Sequence, residues 1–101
     1  MNFRLSNQAR NDLRKAYRYT VANFGEAQAD RYLSRLYDTF DVLCRHPEAG
    51  RLASIDQLPA TRKILSDKYF IYYDPTYEFI AILRIFHASR HIDDSDIEPF
   101  Q

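Results

Sequence analysis

The sequence predicts an α+β domain of two layers: an N-terminal strand, a long antiparallel helical hairpin, then a three-stranded antiparallel meander (β-α-α-β-β-β). Three observations carry that prediction. Two amphipathic helical patterns are separated by a single glycine, three extended runs occupy the last third of the chain, and 101 residues suffice for one modest core. Residues 1–101 are therefore read as one domain, with an acidic C-terminal tail at 92–101.

The strand is Asn2 to Leu5, where Phe3 and Leu5 alternate with polar neighbours. Ser6 or Asn7 supplies the N-cap of the first helix, because either side-chain oxygen can accept from the amides of a first turn. Ala9, Leu13, Ala16, Tyr17, Thr20, Val21 and Phe24 then recur at three- and four-residue steps, with Arg10, Asp12, Arg14, Lys15 and Arg18 assigned to the opposite side. Gly25 stops this helix and Glu26 starts the next with a carboxylate that suits the N-terminal dipole. The second helix runs from about Glu26 to His46 and is closed by Pro47; Ala29, Tyr32, Leu33, Leu36, Phe40, Leu43 and Cys44 form its stripe. With so short a connection the helices must double back.

Pro47 to Ala60 has no clear period and reads as a loop packed down by Leu52, Ile55 and Leu58. The meander follows as Thr61–Leu65, Lys68–Tyr73 and Tyr77–Phe86, with turns at Ser66-Asp67 and Asp74-Pro75-Thr76. In the last strand Phe79, Ala81, Leu83 and Ile85 are expected on one face and Ile80, Ile82, Arg84 and Phe86 on the other. Both faces are apolar, so this strand should be central, one face under the helices and the other partly open.

Apolar residues make up 46% and aromatics 15%, too much for a disordered chain. Fourteen Lys/Arg balance fourteen Asp/Glu, so any affinity for nucleic acid must come from clustered charge. Between Arg51 and Arg90 six basic residues stand against four acidic ones, whereas Asp93 to Glu98 holds four acids and no base; the tail is read as a solvated end. The lone Cys44 offers neither a disulfide framework nor metal spacing and is expected to be a small core residue in a reducing compartment. No apolar run has the length of a signal peptide or a membrane span, so a cytoplasmic protein away from membranes is expected. There is no Gly-rich phosphate loop, no paired His/Cys ligand spacing, no nucleophile elbow and no acidic dyad on one face. No metal and no cofactor are expected.

The residues that could carry chemistry cluster late in the chain. Arg84 lies in an apolar strand and needs a carboxylate such as Asp67 or Asp74, a set of carbonyls, or an anionic ligand. His87, Arg90 and His91 follow at the strand end, and Arg62 and Lys63 lie on the first meander strand. Together they could hold a phosphate backbone while a His protonates a leaving 5′-oxygen. First and third strands of a meander run parallel, however, so Arg62 should lie nearer the start of the last strand than its end. Tyr69, Phe70, Tyr72, Tyr73 and Tyr77 either offer stacking surface for bases or build the sheet.

Several strings, in this order, resemble the ParE/RelE superfamily of bacterial type II toxin–antitoxin toxins. They are A-x-x-D-L at Ala9 to Leu13, F-G-x-x-x-A at Phe24 to Ala29, P-x-x-G-R at Pro47 to Arg51, Y-x-I-Y-Y at Tyr69 to Tyr73, and I-L-R-I-F-H-x-S-R at Ile82 to Arg90. The resemblance spans about Phe3 to His91. It implies a toxin of the kind tied to plasmid stabilisation and growth arrest, neutralised by a cognate ParD-like antitoxin whose C-terminal segment wraps it. ParE-like members poison DNA gyrase by protein binding; RelE-like members cut mRNA on the ribosome. The long hairpin, the P-x-x-G-R loop and the R-I-F-H-x-S-R ending resemble the ParE branch, for which Tyr69, Tyr73, Arg84, His87 and Arg90 are the candidate partner-contacting residues. RelE-like nucleases usually place a catalytic Tyr, His or Lys near the C-terminus, and this chain has no Tyr after Tyr77 and no Lys after Lys68. A nuclease here would use Arg62 and Arg84 on phosphate and His87, or His91, as the acid. A degenerate toxin that only binds its antitoxin is the third reading.

Overall fold

The computed structural model describes residues 1–101, built from five strands and two long helices. They are β1 (Phe3–Leu5), α1 (Asn7–Phe24), α2 (Glu26–Arg45), β2 (Arg51–Leu52), β3 (Arg62–Ser66), β4 (Tyr69–Asp74) and β5 (Ile80–His87), followed by a 3-10 turn at Asp94–Asp96. The strands form a single sheet in the order β1-β5-β4-β3-β2. β1 runs parallel to β5 and the remaining pairs are antiparallel. The α+β class, the helical hairpin, the meander and the central position of the last strand are as expected from the sequence.

Local chemistry explains the hairpin. Ser6 caps α1 by accepting from the Ala9 amide, and its hydroxyl donates onward to the Leu83 carbonyl of β5, which ties the start of the helix to the sheet. Gly25, the one residue between the helices, has φ 88° and ψ 166°, a region open essentially to glycine alone. It donates to the Val21 carbonyl and accepts from the Ala29 amide, so one residue serves both helix ends. The helices are pinned further out by the Tyr17 hydroxyl, which donates to Asp30 at 2.8 Å.

Between the helices and the sheet lies the larger core: Ala9, Ala16, Tyr32, Leu36, Phe40 and Leu43 from the hairpin against Ile71, Tyr73, Ile80, Ile82 and Ile85. Phe3 of β1 stacks on Phe40 with ring centroids 4.9 Å apart. A smaller core of Ile55, Tyr72, Ala81, Leu83, Phe86 and Ile97 fills the other face of the sheet.

Besides the later start of the last strand, at Ile80 and not Tyr77, four features depart from the sequence-based expectation. The Pro47–Ala60 segment is not wholly irregular, because Arg51 and Leu52 pair with Lys63 and Arg62 as a strand too short to show a period. The β3–β4 turn falls one residue later, on Asp67 and Lys68, with Asp67 at φ 55°, a conformation aspartate tolerates. Strict alternation fails in β5. Tyr72 pairs with Arg84 but Tyr73 with Ile82, so Leu83 is the extra residue of a bulge. Ile80, Ile82 and Ile85 therefore all meet the helices, while Ala81, Leu83 and Phe86 meet the other core.

The fourth departure is the tail, which is no solvated end. Ile97 is buried, Phe100 packs on Phe79 at 5.0 Å, and the Asn7 amide donates to the Gln101 carbonyl at 2.9 Å. Asp93 caps the 3-10 turn, with Asp96 returning a bond to the Asp93 amide. The acids thus point outward along a segment whose apolar residues cover the far face of the sheet.

Candidate functional site

β1 ends at Leu5, but β5 runs on to His87, so the second half of β5 has an edge with no neighbouring strand. α1 covers it. The Asp12 carboxylate accepts from the Ile85 amide at 2.9 Å, taking the place of a strand carbonyl, and grips Arg84 bidentately at 2.8 and 2.9 Å. Arg84 also donates to the Asp96 carbonyl of the tail and lies over the Phe86 ring at 4.2 Å. Side-chain exposure is 12% for Arg84 and 9% for Asp12, so the guanidinium is spent on structure. Its partner is Asp12, neither Asp67 nor Asp74.

At the opposite end of the sheet a second polar set holds the Pro47–Arg51 loop. The Tyr73 hydroxyl donates to the Pro47 carbonyl and accepts from the Gly50 amide, each at 2.8 Å. Arg62 donates to the Gly50 carbonyl at 2.7 Å. A Cβ on Gly50 would sit 2.7 Å from the Lys63 carbonyl and 2.8 Å from Tyr73, so the glycine of P-x-x-G-R is demanded by close approach. Tyr73 has no accessible surface, and burial raises its phenol pKa against the smaller opposing effect of the Gly50 bond.

His87 stands elsewhere, at the end of β5, opposite Tyr69 in the β4 register. The two rings meet edge to face at 5.3 Å. His87 Nδ1 accepts from the Ser89 amide at 3.1 Å and lies 2.6 Å from the Ser89 hydroxyl, so in the neutral ring Nε2 carries the proton. Both residues line a cleft of about 420 Å³ between the hairpin and the β3–β4 turn, together with Tyr19, Thr20, Phe24, Gln28, Arg31, Tyr32, Arg35, Asp67 and Lys68. Arg35 is paired with Asp67 at 3.1 Å; Arg31 and Lys68 have no acid within salt-bridge distance. Tyr32 is 7% exposed, and its buried hydroxyl has no hydrogen-bond partner. Burial, reinforced by Tyr69 and Asp12, holds that phenol far above the usual tyrosine pKa, so it stays a neutral donor.

The candidate residues from the sequence therefore do not converge. Arg62 pairs across to Tyr73 and through it to Ile82, near the start of β5, whereas His87 is level with Ser66. Four residue steps of β3 separate the two positions, roughly 13 Å along the strand. Arg84 is enclosed by Asp12, and Arg90 lies outside the sheet, over Phe86 at 4.4 Å and 3.9 Å from Asp96. Sequence reading missed both Asp12 and the basic cleft. Asp12 was placed on the polar side of the first helix, yet it stands three residues after Ala9 and four before Ala16, on the buried stripe itself. An acid in an apolar helical stripe and a base in an apolar strand were the available signal for the pair. The cleft had none, since its cations come from α2 and a turn that are distant in sequence.

No group of His, Cys, Asp and Glu side chains is arranged to hold a metal ion, and no helix is long and apolar enough to cross a membrane. Comparison with curated proteins gives no match. Among solved structures, one described as the chromosomal ParDE toxin–antitoxin system from P. aeruginosa matches with a TM-score of 0.75 at 20% sequence identity, covering 88% of this chain and 97% of that one, which makes the folds alike. The family model of the ParE toxin of type II toxin–antitoxin systems, parDE, matches residues 3–92, from the first strand to just beyond the His87 turn. On that match across nearly the whole chain, it belongs to the ParE toxin family.

Proposed function

We propose that this type II toxin arrests growth by binding DNA gyrase, without nuclease chemistry, and that a cognate ParD-like antitoxin neutralises it. The observation that carries the non-enzymatic reading is the Arg84–Asp12 pair. A guanidinium gripped bidentately by a buried carboxylate, and capped by a tail carbonyl, is not free to hold a scissile phosphate. The separation of Arg62 from His87 along β3 supports the same reading, because acid catalysis needs donor and phosphate ligands within hydrogen-bond reach of one group.

The contact surface we assign is the hairpin end together with the end of β5. Tyr19 and Phe24 are each 61% exposed there, beside Tyr69 and His87, and Arg90 follows on the next turn. Large exposed aromatics at one end of a rigid hairpin are what a protein partner buries as anchors. The antitoxin assignment draws on the family and on the ParDE system of the structural neighbour.

The test runs a gyrase supercoiling assay beside a translation-coupled mRNA cleavage assay on the purified chain. Supercoiling should be blocked or cleaved DNA trapped, with no codon-positioned cuts, and H87A should keep most of that effect. Unchanged supercoiling at saturating protein rejects the gyrase target; cuts abolished by H87A establish the ribosome-dependent endoribonuclease instead. Growth arrest on expression, relieved by the product of a neighbouring reading frame, tests the antitoxin.

A further inference from the structure

Besides the aromatic residues and His87 of that contact surface, the cleft holds cations that the protein-binding reading does not use. Arg31 and Lys68 are cations without acid partners, and Arg35 shares only the exposed Asp67. Tyr19, Phe24, Tyr32 and Tyr69 add aromatic surface to the same lining. His87 offers Nε2, since Nδ1 is engaged by Ser89. Two or three positive charges, an imidazole N–H and flat apolar rings around one small space match a phosphate joined to a planar ring. At about 420 Å³ the cleft has the size of a small-ligand site and is too small for a docked helix some 10–12 Å across.

We propose that this cleft binds a nucleoside 5′-monophosphate group, either as a free nucleotide or as the 5′-phosphorylated end of a single strand. The phosphate lies against Arg31, Lys68 and His87, and the base stacks on the exposed rings of Tyr19 and Phe24. The assignment does not depend on the gyrase target: the site is formed by the isolated chain and can be assayed without any partner.

Titration calorimetry and amide NMR on the full chain test it, with AMP, adenosine, inorganic phosphate, and dT5 oligonucleotides with and without a 5′-phosphate as probes. AMP should shift the amides of Lys68, Tyr69 and His87 and bind at least tenfold tighter than adenosine or phosphate alone. K68A and R31A, both changes of exposed side chains, should each weaken AMP by about tenfold. H87A removes the Nε2 donor and should likewise weaken AMP several-fold while leaving adenosine unchanged. A tenfold advantage of the 5′-phosphorylated oligonucleotide over AMP identifies the strand end as the ligand, and parity identifies the free nucleotide. Absence of shifts at millimolar AMP, equal binding of AMP and adenosine, or K68A and R31A both binding AMP as the unmodified chain does would overturn the proposal.

Discussion

Asp12 shows how one side chain can replace part of a strand. Its two oxygens satisfy the unpaired Ile85 amide on the open edge of β5 and the Nε and Nη2 of Arg84, so three donors depend on one carboxylate. Asp12→Ala should cost about 3–5 kcal/mol, the range for stranding a buried charge. The corresponding fall in melting temperature, more than about 10 °C, can be read by circular dichroism. D12A/R84M should recover a good part of that loss, since no guanidinium is then left unpaired; a double variant no better than D12A would mean that the Ile85 amide dominates. Tyr73 is the equivalent residue at the other end of the sheet. Y73F removes the acceptor of the buried Gly50 amide and should cost about 1–3 kcal/mol in urea unfolding, with the loop loosened around Pro47.

Among the elements, the tail is the one whose role differs most from its composition. Its four acids suggest a solvated end, but the placement of three of them on a capped 3-10 turn lets Ile97 and Phe100 face the sheet. Removing residues 92–101 should cost about 3 kcal/mol through the burial of those two side chains, and should expose the far face of the sheet to a hydrophobic dye. The turn is also sensitive to acid. The Ser95 amide, then the Ser95 hydroxyl, hold the Asp93 carboxyl below the usual carboxylate pKa. A depressed pKa contributes stability above the unfolded value and loses it as pH falls through the folded one. Protection from amide exchange in Asp93–Ile97, relative to the intrinsic rate at each pH, should therefore fall as pH drops below about 4, and D93A should show the low protection at neutral pH.

For the molecule as a whole, the sheet is the shared wall of two cores, one under the hairpin and one under the tail and the Ala53–Leu58 segment. Arg84 joins all three parts, with Asp12 on α1, its own position on β5, and Asp96 in the tail. Unfolding should accordingly be a single cooperative step, with far-ultraviolet and near-ultraviolet circular dichroism giving the same midpoint. The same rigidity suits the proposed mode of action, in which exposed aromatics at the hairpin end are presented to a partner on a frame that does not rearrange.

The sequence by itself determined the α+β class, both helices, a cap at Ser6 or Asn7, the Gly25 reversal and the central place of the last strand. Each follows from periodicity or from the backbone freedom of one residue, which are local properties. It also carried the family, because short strings at fixed spacing survive without any contact being known. Only the tertiary structure decided that Arg84 pairs with Asp12, that a bulge at Leu83 turns Ile85 toward the helices, that the tail is a packed cover, and that Arg31, Lys68, Tyr32 and His87 share one cleft. Those facts depend on register and on chain segments dozens of residues apart. A one-residue slip in a strand changes which face every side chain takes, and no local pattern records it.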